Sequence, residues 1–464
     1  ALGVADLSLA LLQRRAARGA SATDEWYLLR GSRSGEVRIR TLLLPTRPSE
    51  SDTNAVWDEL LYDSCAPMED HYGFRIPASS VREWAHLRSY QACREQRRVA
   101  EWEATFGSHF FSLTSARDSN LVKKLAREGV PRHWRQRVYM AMSGALEKQQ
   151  NAPSKDYYAS LVRQIDSRDS TSFRQIELDI DRTFGQSGTK MSTEEGRALL
   201  RRVLKAYSMH NPTVGYCQGL NFIVGFLVLL LDEESTFWLL VVICEDMFPG
   251  YYIPTMTDTQ TDMLVLKQLI AEELPELSEF TSDVGLPLEL LGSQWLLCLF
   301  TTTFPSETVF RIFDCMMTEG AHFVFAVIMT HLRRLESKLL GVDEFQAVLS
   351  TMKEAENALL DADEFIREAV DEAERITAER VARLREEHSV SVQDEMQRAD
   401  RARALNRQLA VVYQIPAFSS TAANLLRFFH EEAEMSSRSD VAFVLTLLCH
   451  GLVWLAEHSK RLRR

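Results

Sequence analysis

With 464 residues, 45% of them hydrophobic and 25% charged, the chain lies in the range of an ordinary folded protein and has length for about three structural units. That composition argues against a chain disordered in bulk and makes a globular protein the default. A formal net charge of -12 and a pI near 5.5 exclude a general nucleic-acid binder, because affinity for a phosphate backbone rests on clustered Lys and Arg.

Residues 1–45 read as a mixed segment. A helical opening precedes Glu36 to Leu44, in which Val37, Ile39, Thr41 and Leu43 alternate with the period of a strand. Together with Trp26-Tyr27-Leu28-Leu29 and the turn from Gly31 to Gly35, this resembles the closing strands of a C2-type β-sandwich, with a stray hairpin as the equal alternative. Residues 46–117 read as a linker and a helical extension. Pro45 to Asn54 is rich in Pro, Ser and Asp, and Trp57 to Tyr62 and Ser80 to Trp102 read as helices on either side of a Tyr72-Gly73-Phe74 turn.

Residues 118–375 form the main domain and read almost entirely as helices punctuated by Pro or Gly. Ser192-Thr193-Glu194-Glu195 fits a capping box with Ser192 as the cap. Leu199, Leu200, Val203, Leu204 and Tyr207 then fall on one face, Asn211-Pro212 stops the helix, and Tyr216 to Asn221 opens the next. The apolar runs Phe222 to Leu231 and Phe237 to Cys244 are split by Asp232-Glu233-Glu234 and are too short to span a bilayer, so they read as core helices.

Residues 376–464 read as a C-terminal helical extension. Apolar positions thin out beyond Ile376, and residues 376–410 are expected to be an exposed or partner-bound helix without a steady heptad. The run from Val441 to Leu455 reads as a helix packing back on the domain, with a membrane-surface anchor as the minor alternative.

Seven scattered cysteines (65, 93, 217, 244, 298, 315 and 449) lack CxxC or Cys/His zinc spacing, so neither disulfides nor a metal are expected. The opening residues lack the succession of a secretory signal, and the expectation is a cytoplasmic protein. His210, His322 and His331 have no paired ligand spacing. Gly185-Gln186-Ser187-Gly188-Thr189-Lys190 fails as a phosphate-binding loop, which needs four residues between the glycines and lysine directly after the second.

The residues that carry chemistry are few. In Ile176-Glu177-Leu178-Asp179-Ile180-Asp181-Arg182-Thr183-Phe184, the positions 176, 179 and 182 are three apart and share a helical face, so Asp179 can orient Arg182. An isolated pair of this kind is usually a surface ion pair contributing under about 1 kcal/mol. Two further segments change that reading: Gly129-Val130-Pro131-Arg132-His133-Trp134-Arg135 precedes it, and Tyr216-Cys217-Gln218-Gly219-Leu220-Asn221 follows after one intervening helix.

In that order and spacing the three segments resemble the TBC domain of Rab GTPase-activating proteins. Ser293-Gln294-Trp295-Leu296-Leu297-Cys298-Leu299-Phe300 and Phe310-Arg311-Ile312-Phe313-Asp314 agree as well. The resemblance covers about residues 118–375 and implies an all-α fold of two helical subdomains. It implies that Arg182 is an arginine finger and Gln218 a glutamine finger, both supplied in trans, with Asp179, Arg135, Tyr216, Gly219, Asn221 and Thr183 in support. The partner is then a GTP-bound Rab-type small GTPase, which itself binds the GTP and Mg²⁺; this chain needs no cofactor of its own. The chain would work in the cytoplasm, with peripheral endomembrane association, in vesicle trafficking.

Two positions depart from the family pattern. Gly185 stands where the family has proline, from which a looser finger loop is expected, and Tyr139 stands where tryptophan is common. The alternative that follows from the first is a non-catalytic Rab-binding scaffold; a membrane tether built from the two chain ends is a weaker third.

Overall fold

The computed structural model describes residues 22–28, 36–42, 69–107, 120–185, 187–286, 288–342 and 344–413. The chain divides into two units, residues 1–69 with 75–85, and residues 70–74 with 86–464.

In the first unit β1 (Ala22–Leu28) and β2 (Glu36–Leu42) pair antiparallel, with Ala22 opposite Leu42 and Leu28 opposite Glu36. The alternation at Val37, Ile39 and Thr41 thus marks a strand. Among the described residues these two strands form a hairpin and no larger sheet. The expected helical opening, the 31–35 turn, the 57–62 helix and the 441–455 run lie outside the described residues.

Helices dominate the other described residues: α1 (Val81–Phe106), α2 (Asn120–Glu128), α3 (Arg135–Ser143), α4 (Ala145–Gln150), α5 (Tyr157–Gln164) and α6 (Thr171–Ile180) come first. They are followed by α7 (Glu194–His210), α8 (Leu220–Leu227), α9 (Glu233–Val242), α10 (Thr257–Glu273), α11 (Pro275–Asp283) and α12 (Leu288–Cys298). The series ends with α13 (Ser306–Glu319), α14 (Phe323–Leu339), α15 (Phe345–Asn357), α16 (Ala362–Ala373) and α17 (Ala378–Tyr413). Among the described residues no helix is long and apolar enough to cross a membrane.

Local chemistry sets the helix ends. Ser170 caps α6 by accepting from the Phe173 amide at 3.1 Å, and Asp232 caps α9 by accepting from Ser235 at 2.9 Å. At α7 the cap is Thr193, which accepts from Gly196 at 3.1 Å, and not the expected Ser192. Ser192 is drawn back by a tight 3₁₀ turn over Lys190–Ser192 and donates to the Thr189 carbonyl at 2.8 Å. Asn211 ends α7, as the following proline requires.

Helices α5, α6, α8 and α9 surround α7, while α14, α15 and α16 pack together with α13, and α17 lies along α10. Helix α13 also reaches α2 and α3, and one continuous apolar core runs through both groups. Each fully buried Leu, Ile, Val or Phe in it contributes about 1.5–3 kcal/mol.

A charged cluster lies within this core. Asp314 accepts from Arg135 at 3.0 and 3.2 Å, from the Tyr139 hydroxyl at 2.7 Å, from the Val130 amide at 3.1 Å and from Arg311 at 3.2 Å. Tyr139, in the family's tryptophan position, is therefore held by a hydrogen bond as well as by packing. Removing one partner of such a buried pair costs about 3–5 kcal/mol, because the other charge is stranded.

The first part of α17 differs from expectation. Val381, Leu384 and Val392 are buried, and Arg385 clamps Asp262 of α10 through two 2.7 Å bonds. Arg380 reaches Glu272 and Glu273, and His388 reaches Gln268. Two of the charges that made this helix look solvent-exposed, Arg380 and Arg385, dock it, while others such as Arg383 and Glu387 remain exposed.

Candidate functional site

Helix α6 buries Phe173, Ile176, Asp179 and Ile180 and ends with Asp181 as its C-cap. The spacing 173, 176, 180 puts the apolar side chains on the core face, and Asp179 goes in with them. A buried carboxylate must be satisfied. Its Oδ1 meets Arg182 Nη2 at 2.5 Å, and its Oδ2 accepts from the Tyr216 hydroxyl at 2.5 Å. Burial, then the Asp179 carboxylate, pushes the Tyr216 phenol far above its ordinary range, so it remains a donor. The Arg182 side chain is 49% exposed. It is held on one side and open on the other.

The residue after the arginine anchors the loop from below. Thr183 is fully buried, and its hydroxyl donates to the Asp179 carbonyl at 2.6 Å. The same oxygen accepts from Asn221 Nδ2 at 2.8 Å, and Asn221 Oδ1 accepts from the Gly219 amide at 3.1 Å. Gly219 caps α8 at a φ of 111°. A side chain there would be strained, and its Cβ would lie 3.2 Å from the Leu297 carbonyl. Gln218, immediately before it, is exposed. The two loops thus share one frame, running from Arg182 through Asp179 to Tyr216 and from Thr183 through Asn221 to Gly219.

Phe184 adopts the left-handed conformation with a φ of 52°. For a residue other than glycine this costs about 1–3 kcal/mol and persists only where the surroundings enforce it. Phe184 packs edge-on against Phe74 at 5.1 Å and Phe222 at 5.4 Å, and lies 6.4 Å from Phe226. Gly225 of α8 lets the helix press on this loop: a Cβ there would sit 2.8 Å from Thr183 Cγ2. A Cβ at Gly185 would approach the Asp181 carbonyl to 2.7 Å, so this backbone excludes the family's proline without a shift. The expectation of a loose loop at Gly185 is met instead by packing on Phe184 and by Ser187, whose amide donates to the Phe184 carbonyl at 3.2 Å.

The structure brings together Asp179, Arg182, Thr183, Tyr216, Gly219 and Asn221, with Gln218 at the head of α8. It does not bring Arg135 to them. Arg135 is 1% exposed and donates to Asp314, to Glu307 at 2.8 Å and to the Tyr72 hydroxyl at 2.8 Å, so its contacts belong to the buried charged cluster on α13. Thr183, singled out only as part of the motif, is the bridge between the loops. Phe184 lies in the quoted motif without an assigned role, and Phe74 and Gly225 carried no sequence signal of a role at this site.

Burial pushes the Cys217 thiol up to about 11, with Cys298 adding to the effect, which keeps it protonated and unsuited to nucleophilic chemistry near neutrality. Among the described residues no group of His, Cys, Asp or Glu could hold a metal ion. An open cleft of about 420 Å³ lies among Lys148, His210, Trp238, Glu245 and Asp246, and none of the motif residues lines it.

A family model described as the Rab-GTPase-TBC domain matches residues 132–340. Growth hormone-regulated TBC protein 1 of Homo sapiens is 32% identical over 329 residues, which are 70% of this chain and 95% of that protein. A TBC domain-containing protein of Schizosaccharomyces pombe is 34% identical over 260 residues, 56% of this chain; there the chain spans only 33% of the relative's length. Among solved structures, the Chlamydomonas flagellar RabGAP TBC domain superposes with a TM-score of 0.56 at 31% identity, covering 66% of this chain and 99% of that one. With most of a curated relative matched at this identity, and the motif residues gathered on one frame, the chain belongs to the Rab-GTPase-TBC domain family.

Proposed function

We propose that this chain is a GTPase-activating protein for a Rab-type small GTPase, supplying Arg182 and Gln218 in trans. The observation that carries the reading is the shared frame: an exposed arginine and an exposed glutamine head two loops that are hydrogen-bonded to each other through Thr183 and Asn221. An arginine held by Asp179, beside a glutamine on an anchored turn, is suited to entering a partner's active site.

In GTP hydrolysis negative charge spreads over the transferring phosphoryl group. A guanidinium remains charged and offers several fixed donors to it, of which Asp179 occupies one. A finger of this kind accelerates hydrolysis by about three to five powers of ten, equal to about 4–7 kcal/mol. Gln218 offers an amide that can donate to and accept from the attacking water. GTP and Mg²⁺ belong to the partner's site. Leu178, one turn before the finger and 77% exposed, offers the partner an apolar contact. The reading carries with it a GTP-bound partner and work at endomembrane surfaces in vesicle trafficking.

The test is single-turnover GTP hydrolysis by a panel of Rab GTPases with the full chain, Arg182→Ala, Arg182→Lys and Gln218→Ala. Acceleration of at least one Rab, with large losses for all three variants, is expected. Binding of a GTP-loaded Rab without any acceleration would make the chain a scaffold instead.

A further inference from the structure

The pentapeptide Asp70-His71-Tyr72-Gly73-Phe74 lies ahead of the 132–340 span that the family model matches, and the sequence marks it only as a turn. In the fold it belongs with the helical unit, although residues on both sides of it do not. Its own shape is fixed first. Asp70 Oδ1 accepts from the Tyr72 amide at 2.8 Å and the Phe74 amide at 2.9 Å, and the Asp70 amide donates to the Phe74 carbonyl at 2.8 Å.

One end of this turn is pinned to the start of α13. Ser306 donates to the second Asp70 oxygen, and the Tyr72 hydroxyl donates to Glu307 at 2.6 Å while accepting from Arg135 at 2.8 Å. The other end lies on the arginine loop. Gly73 has a φ of 88°, and a Cβ there would sit 2.6 Å from the Gly188 carbonyl oxygen and 2.7 Å from the Thr189 nitrogen, so backbone meets backbone. The Phe74 ring lies edge-on to Phe184 at 5.1 Å and stacks on Phe226 at 5.7 Å. Phe184 is the left-handed residue two positions after Arg182.

We propose that Asp70–Phe74 is a positioning strap for the arginine loop, with Phe74 holding Phe184 in its left-handed conformation and thereby fixing where Arg182 projects. The proposal rests on the reading of Arg182 as the finger. It places part of the rate control in a segment outside the matched span, anchored on α13 through Tyr72 and Asp70. Arg135, which touches none of the finger residues, reaches this strap by its bond to Tyr72.

The experiment uses the full chain and the Rab GTPase that it most accelerates in a panel, loaded with GTP, and separates kcat from KM for Phe74→Ala, Phe74→Leu, Arg182→Ala and Leu335→Ala. Leu335 is a buried core residue of α14, and its truncation is the control for general destabilisation. Misplacing a reacting group by a fraction of an ångström to 1 Å costs up to about a hundredfold, so Phe74→Ala is expected to lower kcat about tenfold with KM within about twofold of the parent. Phe74→Leu keeps part of the contact and is expected to lose only about threefold on the same basis. If Phe74→Ala does not fold, the Leu variant carries the test by itself.

An unchanged kcat in the folded Phe74 variants overturns the strap, and so does a loss that Leu335→Ala reproduces. Should Arg182→Ala abolish acceleration while Phe74→Ala is fully active, the strap alone fails. Should Arg182→Ala be as active as the parent, the finger reading fails, and the strap has nothing to position.

Discussion

The Asn221 amide donates to the Thr183 hydroxyl at 2.8 Å, and both side chains are fully buried. This bond joins the loop that follows Arg182 to the turn that follows Gln218. Asn221 is also the acceptor for the Gly219 amide, so it fixes the head of α8 as well. Asn221→Ala would leave that amide without its acceptor in a buried site, at about 1–3 kcal/mol. The expected result is a lower unfolding midpoint in urea together with a reduced kcat for the most responsive Rab. A variant as stable as the parent would show that the frame is not under load.

Asp179 is satisfied by two partners of different character. Its bond to the half-exposed Arg182 contributes little to stability, whereas the Tyr216 hydroxyl is shielded and bonds a charged acceptor, worth about 1.5–3 kcal/mol. Tyr216→Phe is therefore expected to destabilise the fold measurably, and Arg182→Ala less, because removing the half-exposed arginine opens the Asp179 carboxylate to water. The two variants should converge in hydrolysis assays, both slow, and diverge in denaturation. Equal stability losses would contradict this division of labour.

The contrast between these two bonds shows what a sequence can carry. Asp179 and Arg182 are three residues apart, and helical geometry alone predicts their pairing. Tyr216 and Asp179, or Thr183 and Asn221, are separated by a whole helix, and nothing local announces which donor meets which acceptor. The family resemblance supplied Arg182, Gln218, Tyr216 and Asn221 as a set, and the structure joins Tyr216 to Asp179 and Asn221 to Thr183. It also offered Arg135 as a support of the finger, and the structure places that side chain away from the finger residues, in the buried charged cluster on α13 and against Tyr72. The docking of α17 was illegible for a related reason. Arg385 and Asp262 pair across 123 positions, and a charged helix face looks the same whether it meets water or a complementary helix.

His331 gives a prediction that does not depend on function. It is 2% exposed, lies against Trp295 and Phe304, and its Nε2 has no hydrogen-bond partner among the described residues. Burial, and then Arg334, lowers its pKa from 6.5 to about 3. Below pH 6.5 the unfolded chain binds a proton at this position that the folded chain refuses. Stability is therefore present above about pH 6.5 and lost as the pH falls toward 3, with a slope of up to about 1.4 kcal/mol per pH unit from this group. His331→Leu should remove that component. Urea denaturation at pH 8, 6 and 5 should show the variant gaining on the parent as the pH falls; parallel curves would count against a neutral buried imidazole.

Gly225 supplies a prediction that can be reversed by design. Alanine favours a helix over glycine by about 1 kcal/mol, so Gly225→Ala in the middle of α8 would ordinarily stabilise. Here the new methyl would lie 2.8 Å from Thr183 Cγ2 and 3.3 Å from the Phe184 ring. Overpacking of that kind costs about 1–3 kcal/mol and outweighs the propensity gain. The neighbour that must yield is the loop carrying Arg182, so kcat should fall with KM for the GTPase nearly unchanged. Thr183→Ser removes the clashing methyl while keeping the oxygen that donates to Asp179 and accepts from Asn221. In the double variant Gly225→Ala/Thr183→Ser both stability and kcat should recover most of what the single variant lost. If the serine change gives no recovery, the close approach of α8 is not what holds the loop, and the geometry between Gly225 and Thr183 has no bearing on the rate.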